Sequence, residues 1–369
     1  MNDMKNIHYP APRQKYKVLV RCFTFNQSKY IEDALNGFAM QQTNFPFVCL
    51  VMDDASTDGE QEVIKAWMEC ECDMSQAETL DIPTSVVIIV PYKTNPLCTF
   101  AFYLLKQNLY KAKEQKMAHV TPWREKCEYE AMCEGDDYWI DSLKLQRQVD
   151  FLDTNTNYVL SHTGFDYLEE NVNYSCRSDD RITQNLSIIN SSEDLKCAIL
   201  DYNRYLIQTM TVVVRMDALK KATADLEETS RLFLMGDTQL WVTLLSYGSI
   251  HFNPQKMAVY RLHMGSACHS EDLSKRLRFS LSCAEMRVYF GEKYAISSEM
   301  QTRFQNEYKK LLFRYLMLEN KYKPFITCVF DNPVDRLLYR VMISRFCIVT
   351  FGPVFSAYYK YKNRKKDFQ

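Results

Sequence analysis

Three carboxylates stand within four consecutive residues at Glu134-Gly135-Asp136-Asp137, directly after a short apolar strand predicted at Glu128–Cys133. Like charges at that spacing repel one another unless a cation neutralises them. Alternation along an extended chain places Glu134 and Asp136 on one side, and Gly135 between them lets a bulky ligand approach the backbone. A hard divalent ion, held by one or two carboxylates and completed by substrate phosphates, fits this pattern. The competing structural reading is a solvated acidic turn. The strand in front and Tyr138-Trp139 behind favour the metal.

A second acidic group, Asp53-Asp54-Ala55-Ser56-Thr57-Asp58, follows the all-apolar run Phe47–Met52. One acid of the pair could accept hydrogen bonds from the N–H and O–H groups of a base or ribose, while Ser56, Thr57 or Asp58 could equally cap the next helix. Asp237 begins an apolar helix, where the macrodipole is expected to keep its pKa low. It reads either as a helix cap or as a general base for an attacking hydroxyl. His263, one of six histidines, lies just past a short strand and is a candidate third metal ligand. No spacing supports a Cys-His or Ser-His-Asp nucleophile.

These residues need strands and helices to position them. Lys17–Phe25, Phe47–Met52, Ser85–Val90 and Glu128–Cys133 read as strands. Amphipathic stretches fall between them: Tyr30 to Phe38, a helix through Val63, Ile64 and Trp67, and one through Phe102, Leu105, Leu109 and Ala112. Continuous apolar strands alternating with helices imply an α/β fold, a mostly parallel central sheet flanked by helices. Ligands in such sheets sit beyond the carboxyl ends of the strands, where both acidic groups fall. Leu143–Leu152 reads as a helix, Tyr158–Phe165 and Gln208–Arg215 as strands, and Asn171–Asn190 as a long polar loop. Gly236–Tyr247 follows as a helix and Lys256–Leu262 as a last short strand. Helical spacing then resumes around 272–291, 299–318 and 333–345.

Composition narrows the function classes. Lys and Arg number 45 against 46 Asp and Glu, so no overall basic field invites nucleic acid. Only nine of the 369 residues are glycine, against about 7% in average proteins. No two glycines stand two apart, so the dinucleotide fingerprint is absent, as is the P-loop motif. Phosphate must be held by a metal or by side chains. The 13 cysteines include no C-x-x-C pair, which leaves a structural zinc site unsupported and points to a reducing cytoplasm. The N-terminus lacks the apolar core of a signal peptide, and no apolar run reaches the length of a membrane-spanning helix.

The motifs occur in an order that resembles the family 2 glycosyltransferases of the GT-A fold, in particular bacterial enzymes that build capsule, lipopolysaccharide or other surface glycans. VLVRCFTFNQSKYIEDAL is similar to the family's opening T-Y-N segment, here Thr24-Phe25-Asn26. NFPFVCLVMDDASTDG matches its second-strand motif, and CEGDDYWIDSLKLQRQVDFL its D-x-D region, with Glu134 in place of the first Asp. QTMTVVVR, GDTQLWVTL and AVYRLHMGS correspond to acceptor-side motifs. The resemblance covers residues 15–268. It implies a GT-A domain over 1–268, with a nucleotide-sugar half at about 15–140 and an acceptor half at about 141–268. A helical C-terminal region of 269–369 follows.

By the resemblance, Asp54 is the nucleotide-binding acid, with Asp53 beside it and Thr24 and Asn26 flanking the nucleotide. Glu134 stands at the ribose-contacting position. Asp136 is the metal-binding Asp, with Asp137 adjacent. Asp237 matches the catalytic base, although the family's usual acid-Asp pair is Gly236-Asp237 here. His263 stands where a histidine reaches the metal or the diphosphate, and Arg261 is placed for phosphate.

The implied activity is an inverting, Mn²⁺- or Mg²⁺-dependent transfer of a sugar from a nucleotide-diphosphate donor, UDP-sugar favoured, to a hydroxyl of a glycan or lipid-linked acceptor. The Q-x-x-R-W signature of processive synthases is missing. The alternatives are a non-catalytic carbohydrate-binding or scaffold protein on the same fold and a sugar-phosphate nucleotidylyltransferase. The latter lacks its glycine-rich loop at Thr24–Lys29. The expected location is the cytoplasm. Peripheral contact with the inner face of the cytoplasmic membrane would run through the basic tail after Asp335 and the uncharged, aromatic-rich segment Phe346–Tyr359. A terminal helix packed on the domain is the other reading of that tail.

Overall fold

The computed structural model describes residues 10–112, 116–169, 175–178, 191–201, 206–229, 233–263 and 272–319. The chain divides into two units, Met1–Arg231 with Asp237–His263, and Leu232–Gly236 with Met264–Gln369.

The first unit is a mixed α/β body around one large sheet. Its parallel centre consists of β1 (Tyr16–Thr24), β2 (Phe47–Asp53), β5 (Asn95–Leu105) and β6 (Cys127–Met132), in the order β5-β2-β1-β6. Beyond β5 the edge is antiparallel, formed by β4 (Ser85–Tyr92) and β3 (Glu78–Ile82). Beyond β6 come the antiparallel β10 (Val213–Arg215) and β8 (Tyr158–Glu169). Next are β11 (Ser249–Leu262), parallel to β8, and β7 (Tyr138–Trp139), antiparallel to β11, while β9 (Ser175–Ser178) pairs with β8.

Alternation divides the central strands between two faces. Val18, Val20 and Cys22 of β1 and Phe47, Cys49 and Val51 of β2 point into one core. There they meet Ile31, Leu35 and Phe38 of α1 (Ile31–Ala39) and Ile64 and Trp67 of α2 (Glu60–Glu71). Leu145, Val149 and Leu152 join them from the later helix Lys144–Thr154. Side chains of this size each contribute about 1.5–3 kcal/mol when fully buried. The opposite face is covered by α3 (Leu109–Ala112) and α4 (Met117–Arg124), where Trp123 Nε1 donates to Tyr103 Oη at 2.7 Å.

Helix α5 is Lys144–Thr154, and α6 (Ser192–Leu200), α7 (Met216–Glu228) and α8 (Asp237–Leu244) complete this unit. Ser191 caps α6 by accepting the Asp194 N–H at 3.0 Å. In the second unit α9 (Leu273–Lys293) and α10 (Ser298–Glu319) pack on each other, burying Phe290, Phe304 and Leu312.

Several expectations change. The segment expected as a helix through Phe102 and Leu105 is strand β5. It pairs with both β2 and β4, and a run of aromatic and apolar residues buried on both faces satisfies a strand as well as a helical period. Pro91 does not stop the third strand but sits inside β4 near its end. In Gln208–Arg215, Thr209–Thr211 form a 3₁₀ turn and only Val213–Arg215 is strand. The loop around 171–190, the helix at 333–345 and the tail after Asp335 lie outside the described residues, apart from β9. No helix among the described residues is long and apolar enough to cross a membrane.

Candidate functional site

The parallel strands β1, β2 and β6 deliver their carboxyl ends side by side, and the candidate residues gather there. At the end of β1, Thr24 Oγ1 lies 2.7 Å from Gln27 Oε1 and is also bonded to Glu60 Oε1. One hydroxyl hydrogen cannot serve both acceptors, and turning the Gln27 amide so that its nitrogen donates to Thr24 Oγ1 frees the hydroxyl for Glu60. Burial pushes the Glu60 carboxyl up from its ordinary value, against the hydrogen bonds from Thr24, Gln27 and Ser56. Glu60 Oε2 also accepts from the Gln27 N–H and Ser56 Oγ, each at 2.8 Å. Asn26, exposed and at φ 55°, accepts the Thr57 N–H at 2.8 Å, and the Ser28 N–H donates to Asp58 Oδ2 at 3.0 Å. The two loops are therefore joined by their own side chains. Glu60 organises them, and the sequence reading passed over it because it reads as an ordinary first-turn helix acid. The cap of α2 is Gly59 at φ 89°, in place of the expected Ser56 or Thr57.

The adjacent acids at the end of β2 have different fates. Asp54 Oδ1 accepts the Leu109 N–H at 2.7 Å, at the start of α3, and Oδ2 pairs with Lys116 Nζ at 2.7 Å. Asp53 Oδ1 accepts from the Ser56 N–H at 3.0 Å and from Gln61 Nε2 at 2.5 Å. Its Oδ2 is buried with no partner. The order expected from the resemblance, Asp54 first and Asp53 beside it, is thus reversed in availability: the Asp54 carboxylate is spent on the protein, and Asp53 keeps one open acceptor.

The acidic loop is a turn rather than an extended chain, closed by Asp137 N donating to Glu134 O at 3.2 Å. Gly135 is required by a close approach within the protein, not by a ligand: a Cβ there would lie 2.4 Å from Thr24 Oγ1 and 2.6 Å from Gln27 Oε1. The β7–β11 pairing, Val259 opposite Tyr138, draws the end of β11 against this turn. His263 Nε2 lies 3.0 Å from Asp136 Oδ2, with the Tyr30 ring 4.8 Å from the imidazole. Asp137 is buried, and its Oδ1 accepts the Arg261 N–H at 2.9 Å. Arg261 donates from Nε to Asp136 O at 3.0 Å and from Nη2 to Asp33 Oδ2 at 2.6 Å, with its guanidinium 4.7 Å over the Tyr30 ring. Its contacts tie α1 to the turn.

Electrostatics link the turn to α8. Burial pushes the Glu134 carboxyl up, with Asp136 and Asp237 adding to the rise and Arg21 and Lys116 opposing it. Asp137 is pushed up by burial and by Asp136. Asp237 Oδ1 accepts the Thr238 N–H at 2.7 Å at the start of α8. The expectation of a low pKa there is overturned: burial raises it and outweighs the helix-terminal N–H groups. Among the described residues, no three His, Cys, Asp or Glu side chains are spaced to hold a metal ion. The oxygen of Asp136 and the nitrogen of His263 form a two-donor set suited to an ion that takes its other ligands from phosphate and water.

No protein-family model matches the chain. It is 30% identical over 253 residues to the uncharacterized proteins Rv1520 of Mycobacterium tuberculosis and Mb1547 of Mycobacterium bovis, covering 69% of this chain and 61% of each relative. The chain thus spans less than two thirds of the length of these relatives. Among solved structures, S. aureus TarS 1–349 in complex with UDP-GlcNAc is similar at TM-score 0.45 and 15% identity, over 92% of this chain and 88% of that one. Mannosyltransferase PcManGT from Pyrobaculum calidifontis, in complex with GDP-Man and Mn²⁺, is similar at TM-score 0.47 and 12% identity, over 95% and 90%. At such TM-scores it is the side-chain arrangement, not the likeness, that bears on function.

Proposed function

We propose that the chain is a GT-A glycosyltransferase of the family 2 type, transferring a sugar from a nucleotide-diphosphate donor, UDP-sugar favoured, to a hydroxyl of a glycan or lipid-linked acceptor in surface-glycan synthesis. The observation that carries this reading is the meeting of Asp136 with His263 at 3.0 Å beside Glu134, whose charge feels Asp237. Acids for a nucleotide, a donor set for a cation and a candidate base are thereby gathered at the carboxyl edge of parallel strands.

Asp53 Oδ2, buried and unpartnered, is the acceptor for a base or ribose hydrogen. Asp136 and His263 would hold a Mn²⁺ or Mg²⁺ ion, which when bound supplies positive charge for the leaving diphosphate. Asp237, its carboxyl lifted by burial, is a stronger base than an exposed Asp and takes the proton of the acceptor hydroxyl. One base without an enzyme nucleophile gives a single displacement with inversion.

A thermal-shift titration with UDP, GDP, dTDP and CMP, each with and without Mn²⁺, tests the donor class. A ligand at 100 times its Kd stabilises the fold by about 2.7 kcal/mol. Metal-dependent stabilisation by one diphosphate is expected, and no shift with any nucleotide returns the chain to a non-catalytic carbohydrate-binding role. Asp237→Asn should lower kcat by about 10²–10⁴ with donor binding unchanged. Retention of most of the transfer activity would remove Asp237 from the role of base.

A further inference from the structure

The resemblance places Arg261 for phosphate, but the fold has already engaged its side chain, which is only 6% exposed. Nε donates to Asp136 O at 3.0 Å and Nη2 to Asp33 Oδ2 at 2.6 Å. The guanidinium carbon lies 4.7 Å from the centre of the Tyr30 ring and 5.3 Å from that of Tyr138. Its own backbone N–H donates to Asp137 Oδ1 at 2.9 Å. A buried cation needs partners of this kind, and a planar, forked guanidinium can bond through its edge while aromatic rings stack on its face. A diphosphate could reach Nε or Nη2 only by displacing Asp136 O or Asp33.

What these contacts hold is the pair Asp136–His263. Arg261 grips the acidic turn at two consecutive residues, the Asp136 carbonyl and the Asp137 carboxylate, and so fixes the peptide between them. His263 stands two residues further on, at the end of β11, which puts both side chains on one face of the extended chain. The Tyr30 ring beside the guanidinium also lies 4.8 Å from the His263 imidazole. Tyr30 immediately precedes α1, and Asp33 is in its first turn, where the helix N-terminus favours an acid. The start of α1 therefore braces Arg261 and His263 together, and Arg261 braces Asp136. The distance of 3.0 Å between Asp136 Oδ2 and His263 Nε2 is the outcome.

We propose that Arg261 is a positioning residue and not a phosphate ligand: held by Asp33 and Tyr30 at the start of α1, it fixes Asp136 and His263 relative to each other. Groups behind a metal-binding pair orient its donor atoms and tune its affinity. The consequence for donor binding rests on the glycosyltransferase reading, in which the pair holds a divalent ion. The bracing of the pair does not.

Calorimetry of the full chain with UDP in excess Mn²⁺ separates the two roles. Asp33→Ala frees one edge of the guanidinium, and Arg261→Lys keeps the charge but loses the fork. A positioning residue predicts binding weaker by about tenfold in both variants. A phosphate ligand predicts binding at least as tight in Asp33→Ala, and largely kept in Arg261→Lys, because lysine still binds phosphate as a point charge. Either of those results would overturn the proposal. If Arg261→Lys does not fold, Asp33→Ala decides alone, since its side chain is 53% exposed. A metal-free measurement needs no donor. In histidine ¹⁵N spectra at one fixed pH, the His263 Nε2 signal should move in Asp33→Ala in the direction in which it moves in Asp136→Asn. An unmoved signal would sink the bracing. If the wild-type chain binds no UDP, the glycosyltransferase reading fails and the metal-free spectra still decide on Arg261.

Discussion

The two acidic groups of this protein are alike in sequence and opposite in physics. At the end of β2, Asp54 is saturated by a helix start and a lysine, and Asp53 has a single open oxygen. This group is scaffold with one open acceptor atom. At the end of β6, Glu134 and Asp137 are both pushed up by burial and by neighbouring acids, so their charge is held at a cost. Carboxylates that the protein satisfies build structure. Those that it leaves in repulsion are the ones the proposed function assigns to a cation or a substrate.

That contrast can be broken by substitution. The largest effect is expected at Asp54→Ala, which strands Lys116 and the start of α3 and should cost about 3 kcal/mol in urea unfolding. Asp53→Ala should cost clearly less and instead weaken nucleotide binding. Equal losses of stability would erase the distinction between the two acids.

Behind the second group lies Lys144, fully buried, donating to Gln148 Oε1 at 2.8 Å and sitting 4.4 Å over the Trp139 ring. Burial lowers its pKa from 10.5 to about 7. Between those values the unfolded chain holds the proton and the folded chain does not, so stability rises with pH across that window. Below about 7 the full cost of the buried charge is present. Lys144→Met should flatten the profile and stabilise the protein at pH 6, as read from thermal midpoints. A wild-type profile that stays flat between pH 7 and 10 would mean that Lys144 keeps its proton in the fold.

The smallest effect is expected at Asp137→Asn. The amide oxygen still accepts the Arg261 N–H, while the buried charge is gone. In metal-free buffer at pH 7 the variant should be the more stable of the two in urea unfolding. The difference should vanish below pH 3.8, where the wild-type carboxyl is protonated in both states. A destabilised variant at pH 7 would place Asp137 among the satisfied carboxylates, with Asp54.

Much of the site was legible in the sequence because acids after apolar strands are a local pattern. Strands β1, β2 and β6, and the acids at their ends, follow from residue order alone. Two kinds of feature did not. Strand β5 was hidden because Phe102 and Leu105 satisfy a helical period, and only pairing on both sides makes the segment a strand. Glu60, Arg21 and Lys144 were hidden because a buried charge looks like a surface charge until its neighbours are known.

Sequence by itself determined where the acids stand along the chain, that no glycine-rich phosphate loop exists, and that apolar strands alternate with helices. Tertiary structure decided which acid is free. Asp53 and Asp54 are chemically identical neighbours. Only the strand's alternation, which points one towards α3 and Lys116 and the other towards Ser56 and Gln61, separates them. The same holds for Asp136 and His263, brought together by the pairing of β7 with β11 across more than a hundred residues of chain. The energy of a carboxylate is set by what surrounds it in space, and sequence order does not contain that distance.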